Sequence, residues 1–170
     1  MPEGNGMDGM IGEPAVAQAG DVDIPTLARH HRLMFEEIWA KKGFPYTEEN
    51  MQALSEEYIR KLREGFRAGD CRAWVVRTGD RIVASGAVSL VTYVPVPYDP
   101  SCRIAFVHSI YTEKEDRHRG YADGVVKAAL QFCKGKGIHR VYLFASEDGR
   151  PVYVKNGFGP VDNTMLAFLK

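Results

Sequence analysis

The chain has 170 residues, of which 45% are hydrophobic and 26% charged. That length fits one domain able to bury a core, and the composition is that of an ordinary globular protein. Lys plus Arg equals Asp plus Glu at 22 each. The balance excludes a general nucleic-acid binder, which needs a basic excess against backbone phosphates, and leaves only a local basic patch open.

The start, MPEGNGMDGMIGE, lacks the basic-then-apolar order of a signal peptide. Residues 1–12 are expected to be disordered, and residues 13–170 to form a single domain. A short strand is predicted over 15–19. A helix follows, with Asp23 as N-cap and Pro25 in its first turn. Ile24, Leu27, His31, Met34, Phe35 and Ile38 share one face at helical spacing, all apolar except His31. Gly43 and Pro45 end this helix. Thr47 caps a second helix whose stripe is Met51, Leu54, Tyr58, Leu62 and Phe66.

RAWVVR is a strand, TGD a tight turn, and RIVASGAVSLVTYV the partner strand of a hairpin. Gly86 inside that strand marks a bulge or a close contact. PVPYDPS is a loop stiffened by three prolines. CRIAFVHSIYT is apolar enough for a central strand. A helix opens after Gly120, buries Tyr121, Val125, Ala129 and Phe132, and ends at KGKG. HRVYLFAS is predicted as a strand parallel to its predecessor, as a strand–helix–strand crossover requires. A short helix over 150–155 and two closing strands, GFGPV and TMLAFLK, complete a mixed α/β sheet with helices on both faces.

Cys71, Cys102 and Cys133 are scattered and odd in number, so neither a disulfide framework nor a metal site is expected, and a reducing, cytoplasmic setting fits. No apolar run is long enough for a bilayer, so no membrane partner is expected.

Chemistry concentrates where a run of charges, EKEDRHRG, meets the third helix. The first turn of a helix carries N–H groups without intrahelical partners, and its dipole adds partial positive charge. Together these make an anion site. Gly120 lets an anion approach the backbone, Ala122 is nearly as small, and Arg117 and Arg119 add forked donors suited to phosphate. There is no G-x-x-x-x-G-K-[ST] and no G-x-G-x-x-G after a strand, so neither a P-loop nor a dinucleotide fingerprint is present. From these residues alone, a basic capped turn and a phosphate site remain alternatives.

Arg117-x-x-Gly120-x-Ala122 resembles the acyl-CoA pyrophosphate loop of the GNAT superfamily of N-acetyltransferases, R/Q-x-x-G-x-G/A. SIYTEKEDR before it resembles the family's fourth strand, and GVVKAAL after it the pyrophosphate-binding helix. ASEDGRPVYVKNGF resembles the second signature, L-Y-x-K-x-G-F, with Val152 in place of Leu. The resemblance runs from Ala15 to the C-terminus and is most specific between Ile104 and Phe158.

It implies a mostly antiparallel central sheet of six to seven strands, with a splayed parallel fourth/fifth pair that admits pantetheine. It implies acetyl-CoA as donor and no metal. The backbone of Ile110, Tyr111 and Thr112 would bond the pantetheine and face the thioester, with Ile110 beside the oxyanion. The loop Arg117, His118, Arg119, Gly120, Tyr121, Ala122 and Asp123 would hold the pyrophosphate. Ser146 stands where many members carry Asn and can still bond pantetheine. Arg150 either reaches the phosphates or sits in solvent. Tyr153 aligns with the tyrosine that protonates the leaving thiolate; packing beneath Phe158 is its structural alternative.

The base stays open. The usual Glu position is Phe106 here, which leaves His108, Glu37 or a water chain, and Lys114 replaces a frequent Pro. The first two helices and the third-to-fourth strand loop would bind the acceptor through residues among His30, His31, Arg32, Met34, Glu36, Glu37, Trp39, Tyr93, Tyr98 and Asp99. Aromatics with carboxylates suit a small cationic amine. The expected activity is N-acetylation of a small primary amine, ahead of a peptide or protein amino group. The alternatives are a non-catalytic acyl-CoA-binding or sensing module and a nucleotide-binding regulator. TMLAFLK would take part in a homodimer if one forms.

Overall fold

The computed structural model describes residues 15–169; the expectation for residues 1–12 lies outside them. Strand β1 (Val16–Gln18) leads through a 3₁₀ turn (Asp21–Asp23) into helix α1 (Ile24–Lys42). Asp23 does precede the helix, but its carboxylate does not cap it. Instead it accepts from the Gly20 N–H at 2.9 Å and from Arg77 at 2.5 Å. Gly43, left-handed at φ 66°, ends α1. Thr47 caps helix α2 (Glu48–Ala68) as its sequence requires, its hydroxyl accepting from the Asn50 N–H at 3.1 Å.

Strands β2 (Cys71–Thr78), β3 (Arg81–Thr92) and β4 (Arg103–Thr112) follow, then helix α3 (Tyr121–Gly135), strand β5 (Val141–Tyr142) and helix α4 (Arg150–Lys155). The five strands lie in chain order. β1 to β4 are antiparallel, and the α3 crossover makes β5 parallel to β4. Helices α1 and α2 cover one face, where Ile24, Leu27, Tyr58, Leu62, Val75 and Ala87 form a core. Helix α3 covers the other, packing Val125, Ala129 and Cys133 against Val83, Val88 and Val107. Each fully buried branched side chain in these layers contributes roughly 1.5–3 kcal/mol of transfer free energy.

Two expectations are corrected. The sheet has five strands among the described residues, not six to seven. GFGPV and the described part of TMLAFLK pair with nothing in a sheet, and Met165, Phe168 and Leu169 are almost fully exposed. The apolar run there signals strand potential, with no strand edge engaged to supply hydrogen bonds. The second correction is the length of β5. HRVYLFAS yields a two-residue strand, pairing only Ala105 with Val141 and Phe106 with Tyr142. From Leu143 onward the chain leaves the sheet, so that edge of β4 lacks a strand partner after Phe106.

The entry to β5 is fixed from below. Buried Arg140 gives Nε to Asp99 at 2.6 Å and its NH2 nitrogen to the carbonyls of Val94 and Ser101. A buried charge is tolerated when paired and hydrogen-bonded in this way. Asp99, a candidate acceptor contact by sequence, is thus occupied in holding the β3–β4 loop, whereas Tyr93 and Tyr98 are exposed.

Candidate active site

The site begins at an irregularity in β4. Ser85 pairs with Tyr111 and Ala87 with His108, so Ser109 and Ile110 together oppose the single residue Gly86. That is a β-bulge on β4, and Ser109 takes the left-handed φ of 57° that it requires. A Cβ on Gly86 would stand 2.2 Å from Ile110 Cδ1 and 2.8 Å from Val125 Cγ1. Gly86 is therefore needed for a close approach, while the bulge lies on the opposite strand. The result is that Ile110 re-aims the backbone at the point where β4 and β5 have parted.

At the end of β4 the chain makes a 3₁₀ turn (Lys114–Asp116), turns left-handed at His118 (φ 63°) and again at Gly120 (φ 79°), and enters α3. No side chain caps α3. The N–H groups of its first turn, on Tyr121, Ala122 and Asp123, therefore have no intrahelical partner, and successive turns of this kind form an anion-binding concavity. Nothing lies within 4 Å of where a Gly120 Cβ would be, so the loop opens outward.

The side chains of the loop do other work. Arg117 donates Nε to the Thr112 carbonyl at 3.0 Å and binds both Glu37 oxygens, at 2.8 and 3.0 Å. Its guanidinium lies over the Tyr111 ring at 5.5 Å. Glu37 also accepts from the Tyr111 hydroxyl at 3.0 Å. Burial first, and then Glu37, push the Tyr111 phenol up to about 12. Glu37 and Arg117, which sequence reasoning placed in separate roles, thus form one unit locking α1 to the end of β4. Arg119 is exposed and leans on the Glu115 carbonyl (3.4 Å) and Asp116 (3.6 Å). Behind the loop, Glu113 is held by Arg29 and by His30 Nε2 at 3.2 Å, and His30 Nδ1 meets Ser85 Oγ at 2.8 Å. Burial drives the His30 pKa down and outweighs the pull of Glu113, so this imidazole is neutral packing that fixes the loop's base.

Asp123 faces α4. It accepts from Asn156 Nδ2 at 2.7 Å, Lys155 Nζ at 2.9 Å and Lys127 Nζ at 3.0 Å. Burial opposes its ionisation, yet these three donors prevail and hold the carboxyl at about 2. The contact fixes α4 relative to the anion loop. On α4, the Tyr153 ring meets Phe158 edge-to-face at 6.0 Å, so the packing alternative accounts for the ring. Its hydroxyl makes no hydrogen bond among the described residues. Burial of the ring raises the phenol to about 12. Ser146 Oγ accepts from the Gly149 N–H at 3.2 Å and its carbonyl from the Arg150 N–H, which makes it the turn that starts α4. The Arg150 side chain is exposed.

On the α1–α2 face, His108 is enclosed by hydroxyls. Nδ1 lies 3.3 Å from Tyr58 OH and 3.1 Å from Ser109 Oγ, and Nε2 lies 2.9 Å from Ser89 Oγ. Burial, with smaller contributions from Lys61 and His31, lowers its pKa to about 3. His31 touches the same group: Nδ1 is 2.8 Å from Ser109 Oγ, and its ring stacks on Tyr58 at 3.8 Å. Sequence reasoning placed His31 on the core-facing stripe of α1 and among the acceptor contacts. Ser109 and Tyr58 carried no local signal, because their relation to His31 spans three elements. Among the described residues no group of His, Cys, Asp and Glu is placed to hold a metal, and no helix is long and apolar enough to cross a membrane.

A parallel strand pair that parts after two residue pairs thus lies beside an uncapped helix entered through two left-handed turns. The model of the Acetyltransferase (GNAT) family matches residues 31–158, and the chain belongs to that family. Among curated protein sequences, none matches it. Two solved structures share its fold with a TM-score of 0.79 each. A predicted acetyltransferase with acetyl-CoA from Clostridium acetobutylicum is 23% identical over 91% of this chain and 95% of its own. A GCN5-related N-acetyltransferase from Ralstonia eutropha is 20% identical over 91% and 97%. Glucosamine-6-phosphate N-acetyltransferase from Arabidopsis thaliana, 18% identical over 92% and 98%, has a TM-score of 0.61.

Proposed function

We propose that the protein is an acetyl-CoA-dependent N-acetyltransferase that transfers the acetyl group directly to a primary amine of a small molecule. The observation that carries this reading is the conjunction of the uncapped α3 N-terminus at Gly120 with a Tyr153 hydroxyl that has no hydrogen-bond partner among the described residues. In this reading the amides from Arg119 to Asp123 take the diphosphate, and Arg119 adds charge at the rim. The open edge of β4, from Ile110 to Thr112, takes the pantetheine arm. The Arg117–Glu37–Tyr111 unit keeps that edge in place and contacts the donor through backbone alone.

The amine nitrogen attacks the thioester carbonyl, and the backbone at Ile110 donates to the developing oxyanion, a role worth about 2.7–4 kcal/mol where one such donor has been removed. As the C–S bond breaks, Tyr153 gives its proton to sulfur. A phenol held near 12 keeps its proton at neutral pH. Full transfer to a thiolate of pKa ~8.5 is uphill, so the donation accompanies bond breaking and is completed by exchange with solvent.

The acceptor lies between α1 and α2, where Phe35, Trp39, Pro45, Met51 and Leu54 line a cavity of about 500 Å³. Its lining suits an amine on a compact aromatic or aliphatic scaffold.

The test is calorimetry with acetyl-CoA and with adenosine 3′,5′-bisphosphate, followed by thiol release across a panel of primary amines. Submillimolar acetyl-CoA affinity, weaker binding of the bisphosphate and amine-dependent thiol release are expected. Binding without turnover on any amine or peptide would favour an acyl-CoA-binding module. Equal affinity for the bisphosphate would favour a nucleotide-binding regulator.

A further inference from the structure

We infer that His31 Nε2, at the head of a hydrogen-bonded chain through Ser109 to His108, is the group that takes the proton from the acceptor nitrogen. The inference rests on the acyltransferase reading above and assigns the base that the sequence left open between His108 and Glu37.

Those two candidates are occupied. Both His108 nitrogens face hydroxyls. Glu37 is committed to Arg117 and Tyr111. His31 differs. Its Nδ1 is bonded to Ser109, but its Nε2 has no hydrogen-bond partner among the described residues. Every fully buried side-chain nitrogen and oxygen among them is satisfied, so Nε2 keeps some access to solvent. His31 lines a cavity of about 480 Å³ with Leu54 and Tyr58, and Leu54 also lines the apolar acceptor cavity. Through Ser109 it is one residue from Ile110, where the thioester would lie.

One set of donor and acceptor roles satisfies all of these hydrogen bonds. In it the Ser89 hydroxyl donates toward Cys71 Sγ, 3.9 Å away, and accepts from His108 Nε2–H. His108 Nδ1 then carries a lone pair, which receives the hydroxyls of Tyr58 and Ser109. With its proton directed to His108, Ser109 Oγ accepts from His31 Nδ1–H. One consistent arrangement therefore leaves the lone pair of His31 on Nε2, the nitrogen that faces the cavity.

Burial lowers His31 to about 4, so it is neutral at working pH. The charged groups around the cavity, Glu57, Arg60, Lys61, Glu64 and Asp70 on α2 and the turn after it, are of both signs. His108 stands behind His31 on β4, across Ser109. Such an imidazole does not strip an alkylammonium of pKa ~10 in the ground state. It accepts the much more acidic N–H created when the free amine bonds to the carbonyl carbon. The balance is closed: the C–N bond forms, the nitrogen's proton passes to Nε2, the C–S bond breaks, the thiolate takes the Tyr153 proton, the phenolate regains a proton from solvent, and His31 returns its own to solvent through the cavity.

Two measurements test this. In the ¹⁵N-labelled wild-type protein, long-range ¹H–¹⁵N correlations at pH 7 are expected to show His31 as the neutral Nδ1–H tautomer and His108 as the neutral Nε2–H tautomer; His31 as Nε2–H would overturn the inference. With acetyl-CoA and 2-phenylethylamine, His31→Asn keeps a donor toward Ser109 and should lower kcat about 10²-fold with unchanged acetyl-CoA affinity. Added imidazole should restore turnover to His31→Ala with a pH profile that follows the imidazole free base. Unchanged kcat in His31→Asn would defeat the inference, whereas failure of the wild type to bind acetyl-CoA would defeat the acyltransferase reading instead.

Discussion

The Asp123 carboxylate accepts a 2.7 Å hydrogen bond from Asn156, joining the first turn of α3 to the residue that closes α4. One contact thus sets the anion loop and Tyr153 in a common frame. Its carboxyl is depressed to about 2 in the folded protein, so it binds its proton more weakly folded than unfolded. The stability from this contact is fully present above the unfolded pKa of ~3.9 and is lost as pH falls toward 2. Asp123→Asn should lower Tm at pH 7 by roughly 2–4 °C, about 1 kcal/mol, and flatten the dependence of Tm on pH between 4 and 2. Scanning calorimetry across that range checks both; a wild-type-like slope in the variant would remove Asp123 as its source.

Tyr153→Phe retains the ring packed on Phe158 and deletes the free hydroxyl. The expected outcome is a fall in kcat of about 10²-fold with acetyl-CoA affinity essentially intact. Steady-state kinetics beside calorimetry separates the two, and unchanged turnover would assign the tyrosine to packing alone.

Gly120→Glu places bulk and negative charge at the mouth of the α3 amides, in a residue held at φ 79°. Acetyl-CoA affinity should fall at least 10²-fold, from lost amide access and like-charge repulsion with the diphosphate. Unaltered affinity by calorimetry would move the donor elsewhere.

Gly86→Ala inserts a methyl 2.2 Å from Ile110 Cδ1 and 2.8 Å from Val125 Cγ1. Ile110 must shift, which should destabilise the protein by about 1–3 kcal/mol. Because Ile110 sits at the bulge, kcat should fall further than the lost folded fraction explains. Urea unfolding read with kcat at constant folded fraction distinguishes the two effects.

Local rules made much of this molecule legible from sequence. Thr47 with Asn50 marks a capped start, Gly43 a left-handed stop, and TGD a hairpin, because caps and turns depend on a few neighbouring residues. The signature around Gly120 and Tyr153 is likewise local, and it carried the family. The C-terminal segment failed for the complementary reason: its apolar residues satisfy the local pattern of a strand, but pairing needs an edge that no local pattern records.

The sequence by itself therefore determined the α/β class, the Thr47 cap of α2, the Gly120 turn into α3 and the family. Only the tertiary structure decided where β5 leaves β4, that Ser109 and not Gly86 carries the bulge, and that Glu37 is bound to Arg117 while His31 Nε2 has no hydrogen-bond partner among the described residues. These depend on residues from α1, α2, β3 and β4 meeting in space. Whether a titratable side chain is spent on a neighbour or free for chemistry is a property of that meeting, set by burial and hydrogen-bond geometry across tens of residues of chain.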